Sequence, residues 1–304
     1  MSLSHDPMWP RAGSWPVFDG AADAVLLGVP TWRTSLSPTG AHATPRAVRD
    51  ALQRYSATLM GPPAVDLDAV LSIRDAGDIE EPDGDEGEAA VIARVRELAP
   101  AFVIALGGDN SLTYPVALGS AASGLITFDA HFDLRDGVSN GTPVRRLVED
   151  VPAAAAVSTA RVDPARIVQI GIADFANSAS YARRAADWGI RVITIDEVRR
   201  RGIEDVVSEA LEVAGGTDGR IHLDIDVDVC DRAIAPGCPA SVPGGLQAWE
   251  LRALTRAVAS DTRVVSADIA EVDATADAED GRTVRLAALC VLELLAGAAA
   301  RRRS

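Results

Sequence analysis

Short apolar runs rich in Val, Ile and Leu recur along the chain at 24–30, 65–73, 101–106, 124–129, 166–172, 190–195, 219–228 and 263–269. Each is continuous rather than alternating, which marks a strand buried on both faces. Between most of them lie longer stretches with apolar positions at helical spacing, at 45–55, 86–98, 178–188, 249–258 and 283–295. Strands alternating with helices predict an α/β fold, a three-layer α/β/α arrangement around a mainly parallel sheet of about eight strands. Neither an internal repeat nor a long low-complexity linker interrupts the pattern, so residues 1–304 read as one domain with residues 1–20 as an N-terminal arm. Ligands of such sheets bind beyond the carboxyl ends of the strands, so the chemistry belongs to polar residues that directly follow apolar runs.

Charge narrows the field. The 29 basic residues are all arginine, and against 44 acidic ones they leave a formal net charge of −15. Without lysine there is no Schiff-base amine and no P-loop lysine, so those enzyme classes are excluded. The acid surplus argues against nucleic acid and anionic membranes as partners. Cys230, Cys238 and Cys290 show no metal-type spacing, and the N-terminus has no signal-peptide pattern, so a reducing cytoplasm is expected. The 48% hydrophobic content excludes disorder, while apolar runs such as 151–157 fall short of a membrane span. The acidic stretch 80–88 reads as a solvated loop and the arginines at 301–303 as a frayed end.

Four strand ends carry unusual polar loads: Gly107-Gly108-Asp109-Asn110-Ser111, Asp129-Ala130-His131-Phe132-Asp133, His222-Leu223-Asp224-Ile225-Asp226-Val227-Asp228 and Asp268-Ile269-Ala270-Glu271-Val272-Asp273. Carboxylates converging at one sheet edge repel each other and lose hydration unless a cation neutralises them. Acids with one imidazole form an oxygen-rich donor set suited to Mn²⁺ or Mg²⁺. Side chains two residues apart on a straight strand stand about 6.6 Å from each other, so the chain must bend there or two ions must bind. Two bridged ions roughly 3.5–4 Å apart would satisfy the second condition.

These motifs, in this order, resemble the ureohydrolase family, which includes arginase, agmatinase and formimidoylglutamase and shares an arginase/deacetylase-like fold. The resemblance runs from Gly28-Val29-Pro30 to the C-terminal helix. Placing Asp226, Asp228 and Asp231 on the family's third motif brings Pro236 and Gly244-Gly245 onto its proline and paired glycines. Asp224 then reads as an acid behind the ligands and His222 as a buried, hydrogen-bonded histidine. The resemblance implies two Mn²⁺ ions per subunit, one held by Asn110, Asp129, Asp133 and Asp226, the other by Asp129, His131, Asp226 and Asp228. Asn110 stands where the family has histidine, which weakens the first site because an amide oxygen is a poor substitute for imidazole.

The resemblance further implies attack by metal-bound hydroxide on a planar amidine carbon, with Asp129 as proton shuttle and Glu271 holding the cationic amidinium. The segment Asp129 to Leu147 (DAHFDLRDGVSNGTPVRRL) is similar to that of the formimidoylglutamases, and agmatinases place a histidine-glycine pair near Asn140-Gly141 instead. The expected substrate is N-formimidoyl-L-glutamate, cleaved to L-glutamate and formamide as in histidine degradation. Asn140, Thr142, Arg145 and Asn177 are the expected substrate contacts, with Arg146 competing with Arg145 for the substrate carboxylate. An agmatinase or other guanidino-acid hydrolase is the alternative, and a metal-poor, non-catalytic family member is the alternative from another class. A single-zinc deacetylase is disfavoured, since Asp133, Asp226 and Asp228 over-provide carboxylates for one ion. The family also implies a homo-oligomer, trimer or hexamer.

Overall fold

The computed structural model describes residues 6–149, 162–217 and 219–302. The apolar run 151–157 and Arg303 lie outside them. The central sheet comprises β1 (Ala24–Val29), β2 (Ile73–Asp78), β3 (Phe102–Gly107), β4 (Gly124–Phe128), β5 (Ile167–Ile172), β6 (Arg191–Thr194), β7 (Ile221–Asp226) and β8 (Val264–Ala270). Its eight strands run in the order β2-β1-β3-β8-β7-β4-β5-β6, and every neighbouring pair is parallel.

Continuous apolarity has the expected cause. In β1, Leu26 packs into the core on one face of the sheet, while Val25, Leu27 and Val29 pack into the core on the other. The strand β3 divides likewise, with Phe102, Ile104 and Leu106 on the first face and Val103 and Ala105 on the second. Helices Thr44–Leu52, Ile203–Gly215, Ala248–Ala259 and Arg282–Ala300 cover the first face, and Gly84–Leu98 and Thr113–Gly119 the second. By length and composition Arg282–Ala300 could cross a bilayer, which the run-by-run reading of the sequence did not register. However, 78% of its most apolar window is buried, so it is a core helix.

Three readings from sequence need correction. The apolar run 65–73 is not a sheet strand: Val65–Asp66 forms a short antiparallel ribbon with Thr58–Leu59. Asp66 then caps the one-turn helix Leu67–Val70 by accepting from the Asp68 amide at 3.1 Å. The strand lies just beyond, at Ile73–Asp78, where the polar sequence IRDAGD suits an edge strand that is only partly covered. The acidic stretch 80–88 is not all solvated, because Glu88 is buried against Arg146. Arg301 is not frayed: it lies 4.7 Å over the Phe102 ring and donates to the carbonyls of Ala259 and Val264.

The other edge strand, β6, is tied down by charge. Arg191 donates to Glu209 on the helix Ile203–Gly215 at 2.5 Å and to Glu197. Arg201 bonds the same two acids at 2.5 and 2.8 Å. Hydrogen bonds from Arg191 hold both carboxyls below their ordinary range, against a smaller opposing effect of burial. A depressed carboxyl pKa stabilises the fold above the unfolded value of about 4.3, and that contribution fades as pH falls through the folded value. Since these side chains are partly exposed, Glu209→Gln is expected to cost no more than about 1 kcal/mol at pH 7. Urea denaturation should show that difference at pH 7 and its decline as pH falls below the unfolded value of about 4.3 and on through the depressed native value.

Candidate metal centre

The four polar motifs follow β3, β8, β7 and β4, and these are four consecutive neighbours in the middle of the sheet. Parallel pairing puts all four carboxyl ends on one edge. The glycine pair after β3 is there because backbone passes too close for a side chain. A Cβ on Gly107 would stand 2.7 Å from the Ile269 carbonyl and one on Gly108 1.9 Å from that of Thr31. After β7 the chain bends as the spacing required. Asp226 accepts the Asp228 amide at 2.9 Å and caps a single 3-10 turn, Val227–Val229. Asp129 accepts the His131 amide at 2.6 Å and turns the chain after β4 in the same manner. Asp133 and Glu271 sit at φ 51° and 61°, a left-handed backbone rarely adopted outside glycine and concentrated at functional sites.

Through these turns His131 Nδ1 comes 3.0 Å from Asp228 Oδ2 and 3.5 Å from Asp129 Oδ1. Donor atoms of Asp129, His131 and Asp228 all lie within 4.8 Å of one another. Asp133, Asp226 and Glu271 line the same cavity of ≈ 460 Å³. One imidazole thus faces five buried carboxyl groups. Burial lowers the His131 pKa, but the charge of Asp228, with hydrogen bonds to Asp129 and Asp228, outweighs it and pushes the imidazole up to about 12. Burial and the Asp228 charge push Asp129 up to about 6. For Asp133, burial and Asp129 act upward, and for Asp226 burial and Asp228 do the same. Glu271 rises to about 8, through burial and then the charge of Asp109. Asp129 Oδ2 is buried and has no hydrogen-bond partner among the described residues. A surplus of negative charge, an orphaned oxygen and clustered oxygen and nitrogen donors fit a divalent cation.

Other predicted residues fall differently. Asn110 does not present its amide oxygen to the cluster: that oxygen accepts from the Thr113 hydroxyl at 2.7 Å, while the amide nitrogen donates to Asp133 at 2.8 Å. An amide placed against a carboxylate turns its donor toward the charge. Asn140 lines the cavity and donates to Glu271 at 2.7 Å. Asn177 also lines it, but its amide spans the Phe132 nitrogen and the Ala130 carbonyl, so it holds the DAHFD turn. Thr142 is fully buried and closes a turn onto the Ser139 carbonyl and amide. Arg145 is likewise withdrawn, donating to the carbonyls of Arg135 and Gly137 and pairing with Glu149. Arg146 makes two 2.7 Å bonds to Glu88 and lies 3.8 Å from the Tyr114 ring centroid. None of these last three lines the cavity. His222 is in the core, bonded to Ser266 and Asp268, and Asp224 is buried behind Asp226.

The sequence reading missed the opposite wall, formed by Ser35, Leu36, Ser37 and Thr39, and it missed Arg135. The wall is fastened by acids of the recognised motifs: Asp109 accepts the Ser35 hydroxyl at 2.5 Å and Asp273 the Gly40 amide at 2.8 Å. Asp109 and Asp273, motif acids that the metal assignment left unused, were the available signal for such a loop.

The sequence profile of the Arginase family matches residues 22–297. The chain belongs to the arginase family. It is 35% identical over 289 residues to a formimidoylglutamase of Halalkalibacterium halodurans, covering 90% of this chain and 86% of that one. The formimidoylglutamase structure from Bacillus subtilis superposes with a TM-score of 0.86 at 31% identity, covering 97% of this chain and 94% of the other. A Trypanosoma cruzi formiminoglutamase solved with Mn²⁺ has a TM-score of 0.80 at 25% identity, over 92% and 94% of the two chains. Within this arginase-family scaffold, the buried Arg146–Glu88 pair is structural. Arg146→Met leaves Glu88 as an unpaired buried charge and is expected to lower unfolding stability by about 3–5 kcal/mol. Steady-state kinetics on the same variant should show KM unmoved; a raised KM would return Arg146 to the substrate.

Proposed function

We propose that this arginase-family member is a Mn²⁺-dependent hydrolase of linear amidines, acting on N-formimidoyl-L-glutamate to release L-glutamate and formamide. The observation that carries the proposal is the cluster of Asp129, His131 and Asp228, two of whose members line a cavity together with Glu271. Formimidoylglutamases among the relatives of similar length support the substrate. Asp129, His131 and Asp228 would hold the metal, with Asp133 and Asp226 beside them. The ion would supply the positive charge that keeps these acids ionised and would activate water.

The chain's own residues do the rest. Oε1 of Glu271 accepts from the Asn110 amide at 2.8 Å and from Asn140 at 2.7 Å, which fixes the carboxylate. Its other oxygen is left for the amidinium N–H groups, and a bound cation reverses the upward pull of burial on its pKa. Asp129 carries an unpartnered oxygen, Oδ2, that can take a proton from water and deliver it to the leaving nitrogen. Water adds its oxygen to the formimidoyl carbon, the C–N bond to glutamate breaks, and the glutamate nitrogen leaves as the amine.

Mn²⁺ loading followed by metal analysis and by turnover of formimidoylglutamate, agmatine, arginine and 4-guanidinobutyrate tests the reading. Formimidoylglutamate should have the largest kcat/KM. Agmatine in first place would favour the agmatinase alternative, and absence of both metal and turnover would leave the non-catalytic one. Asp228→Asn removes a carboxylate donor from the Asp129, His131 and Asp228 cluster and should cost at least about 100-fold in kcat/KM. Asn110→His replaces the amide with an imidazole donor, and titration should find Mn²⁺ bound about tenfold more tightly; unchanged affinity would mean that position 110 does not reach the metal.

A further inference from the structure

One charged side chain of the cavity is unexplained by the cluster. Arg135 is exposed, lines the cavity, and is the only arginine among its described lining residues; His131, Asp133, Tyr181, Asp226, Asp228 and Glu271 supply the other titratable groups. Its guanidinium makes no hydrogen bond or ion pair among the described residues, although acids are close at hand along the chain. The adjacent Asp136 is already taken by Arg184 at 2.9 Å. Glu149 is taken by Arg145 at 2.8 Å.

The backbone that carries Arg135 is held from several sides. Arg184 donates to the Leu134 carbonyl at 2.6 Å. Arg145 donates to the carbonyls of Arg135 and Gly137, both at 2.6 Å. The Arg135 amide donates to the Gly141 carbonyl at 3.1 Å. Gly141 has no side chain where one would press on the Arg135 stem, since a Cβ there would stand 2.8 Å from Arg135 Cδ. Two arginines are therefore spent on positioning a third whose own charge is left over. A guanidinium held in this way, at a wall otherwise lined by acids, lacks a counter-anion, and a planar carboxylate matches its fork.

We infer that Arg135 is the specificity residue that binds the substrate's carboxylate, selecting acid-bearing amidines over amine-bearing ones, with Arg145 as the positioning residue behind it. The inference rests on the proposed amidine hydrolysis and names which end of the substrate the cavity reads. A substrate ending in an ammonium group, as agmatine does, would meet a like charge there.

The experiment compares kcat/KM for N-formimidoyl-L-glutamate with that for N-butylformamidine, which keeps the reacting group and lacks carboxylates, in wild type, Arg135→Met and Arg135→Lys. The acid-to-neutral ratio is expected to fall about 30-fold or more in the Met variant through KM, with part of it regained in the Lys variant. An unchanged ratio, or equal losses on both substrates, overturns the assignment. Calorimetric titration with glutarate, an unreactive diacid, gives a readout independent of turnover and of added metal. Arg135→Met should weaken glutarate binding about tenfold or more, and unchanged binding overturns the assignment even if the wild type proves inactive on formimidoylglutamate. Wild-type inactivity together with weakened glutarate binding would instead refute amidine hydrolysis and leave the anion site standing.

Discussion

The structure is organised around negative charge held out of water. Asp129, Asp133, Asp226, Asp228 and Glu271 are all buried at the carboxyl edge of four adjacent strands, and the one cationic side chain bonded to them among the described residues is His131. An arrangement of that kind is unfavourable in isolation, since desolvation and mutual repulsion act in the same direction. It persists because the surrounding backbone leaves the carboxyls nowhere else to go. The glycine pair lets Thr31 and Ile269 press against the β3 end, the turns after β4 and β7 are each closed by an aspartate of the cluster, and two residues accept left-handed φ to face inward. A divalent cation is the partner that makes this geometry favourable, and the family to which the chain belongs includes a member solved with Mn²⁺.

The same constraint explains what the sequence disclosed. Strands buried on both faces leave continuous apolar runs, so seven of the sheet strands could be located from Val, Ile and Leu alone. The eighth, Ile73–Asp78, is an edge strand whose cover thins toward its carboxyl end, and its charged sequence hid it behind the apolar run that precedes it. Cluster acids were legible because no ordinary strand end carries so many, and because parallel pairing puts consecutive strand ends on one edge. Their partners were not. Whether an amide offers oxygen or nitrogen depends on what lies across from it, and Asn110 lies across from both a carboxylate and a hydroxyl supplied by other segments.

Arginine shows the limit most clearly. Composition says that every fixed cation except the chain terminus is a guanidinium, but residue type cannot rank Arg135, Arg145 and Arg146, which lie within one short segment. Partner availability ranks them. Arg146 is buried in the interior with both terminal nitrogens on Glu88, and Arg145 is taken by two carbonyls and Glu149. Arg135 keeps its charge because Asp136, its neighbour in sequence, is turned to Arg184. The family resemblance of the segment pointed to Arg145 and Arg146; the folded chain instead uses the helix that carries them, Pro143–Val148, to hold a loop.

This division of labour gives the cavity a polarity. Its acids suit a metal and a cationic amidinium, and among its described lining residues it carries a single guanidinium, that of Arg135. A bound substrate would therefore need opposite charges at its two ends, positive at the reacting carbon and negative beyond it. The charge order along such a molecule is that of a formimidoyl amino acid and the reverse of what a diamine derivative offers at its far end. Electrostatic selection of that kind acts on the encounter as well as on the bound state, because a chain with net charge −15 repels an anion on average, and a cation exposed beside the cavity offsets that locally.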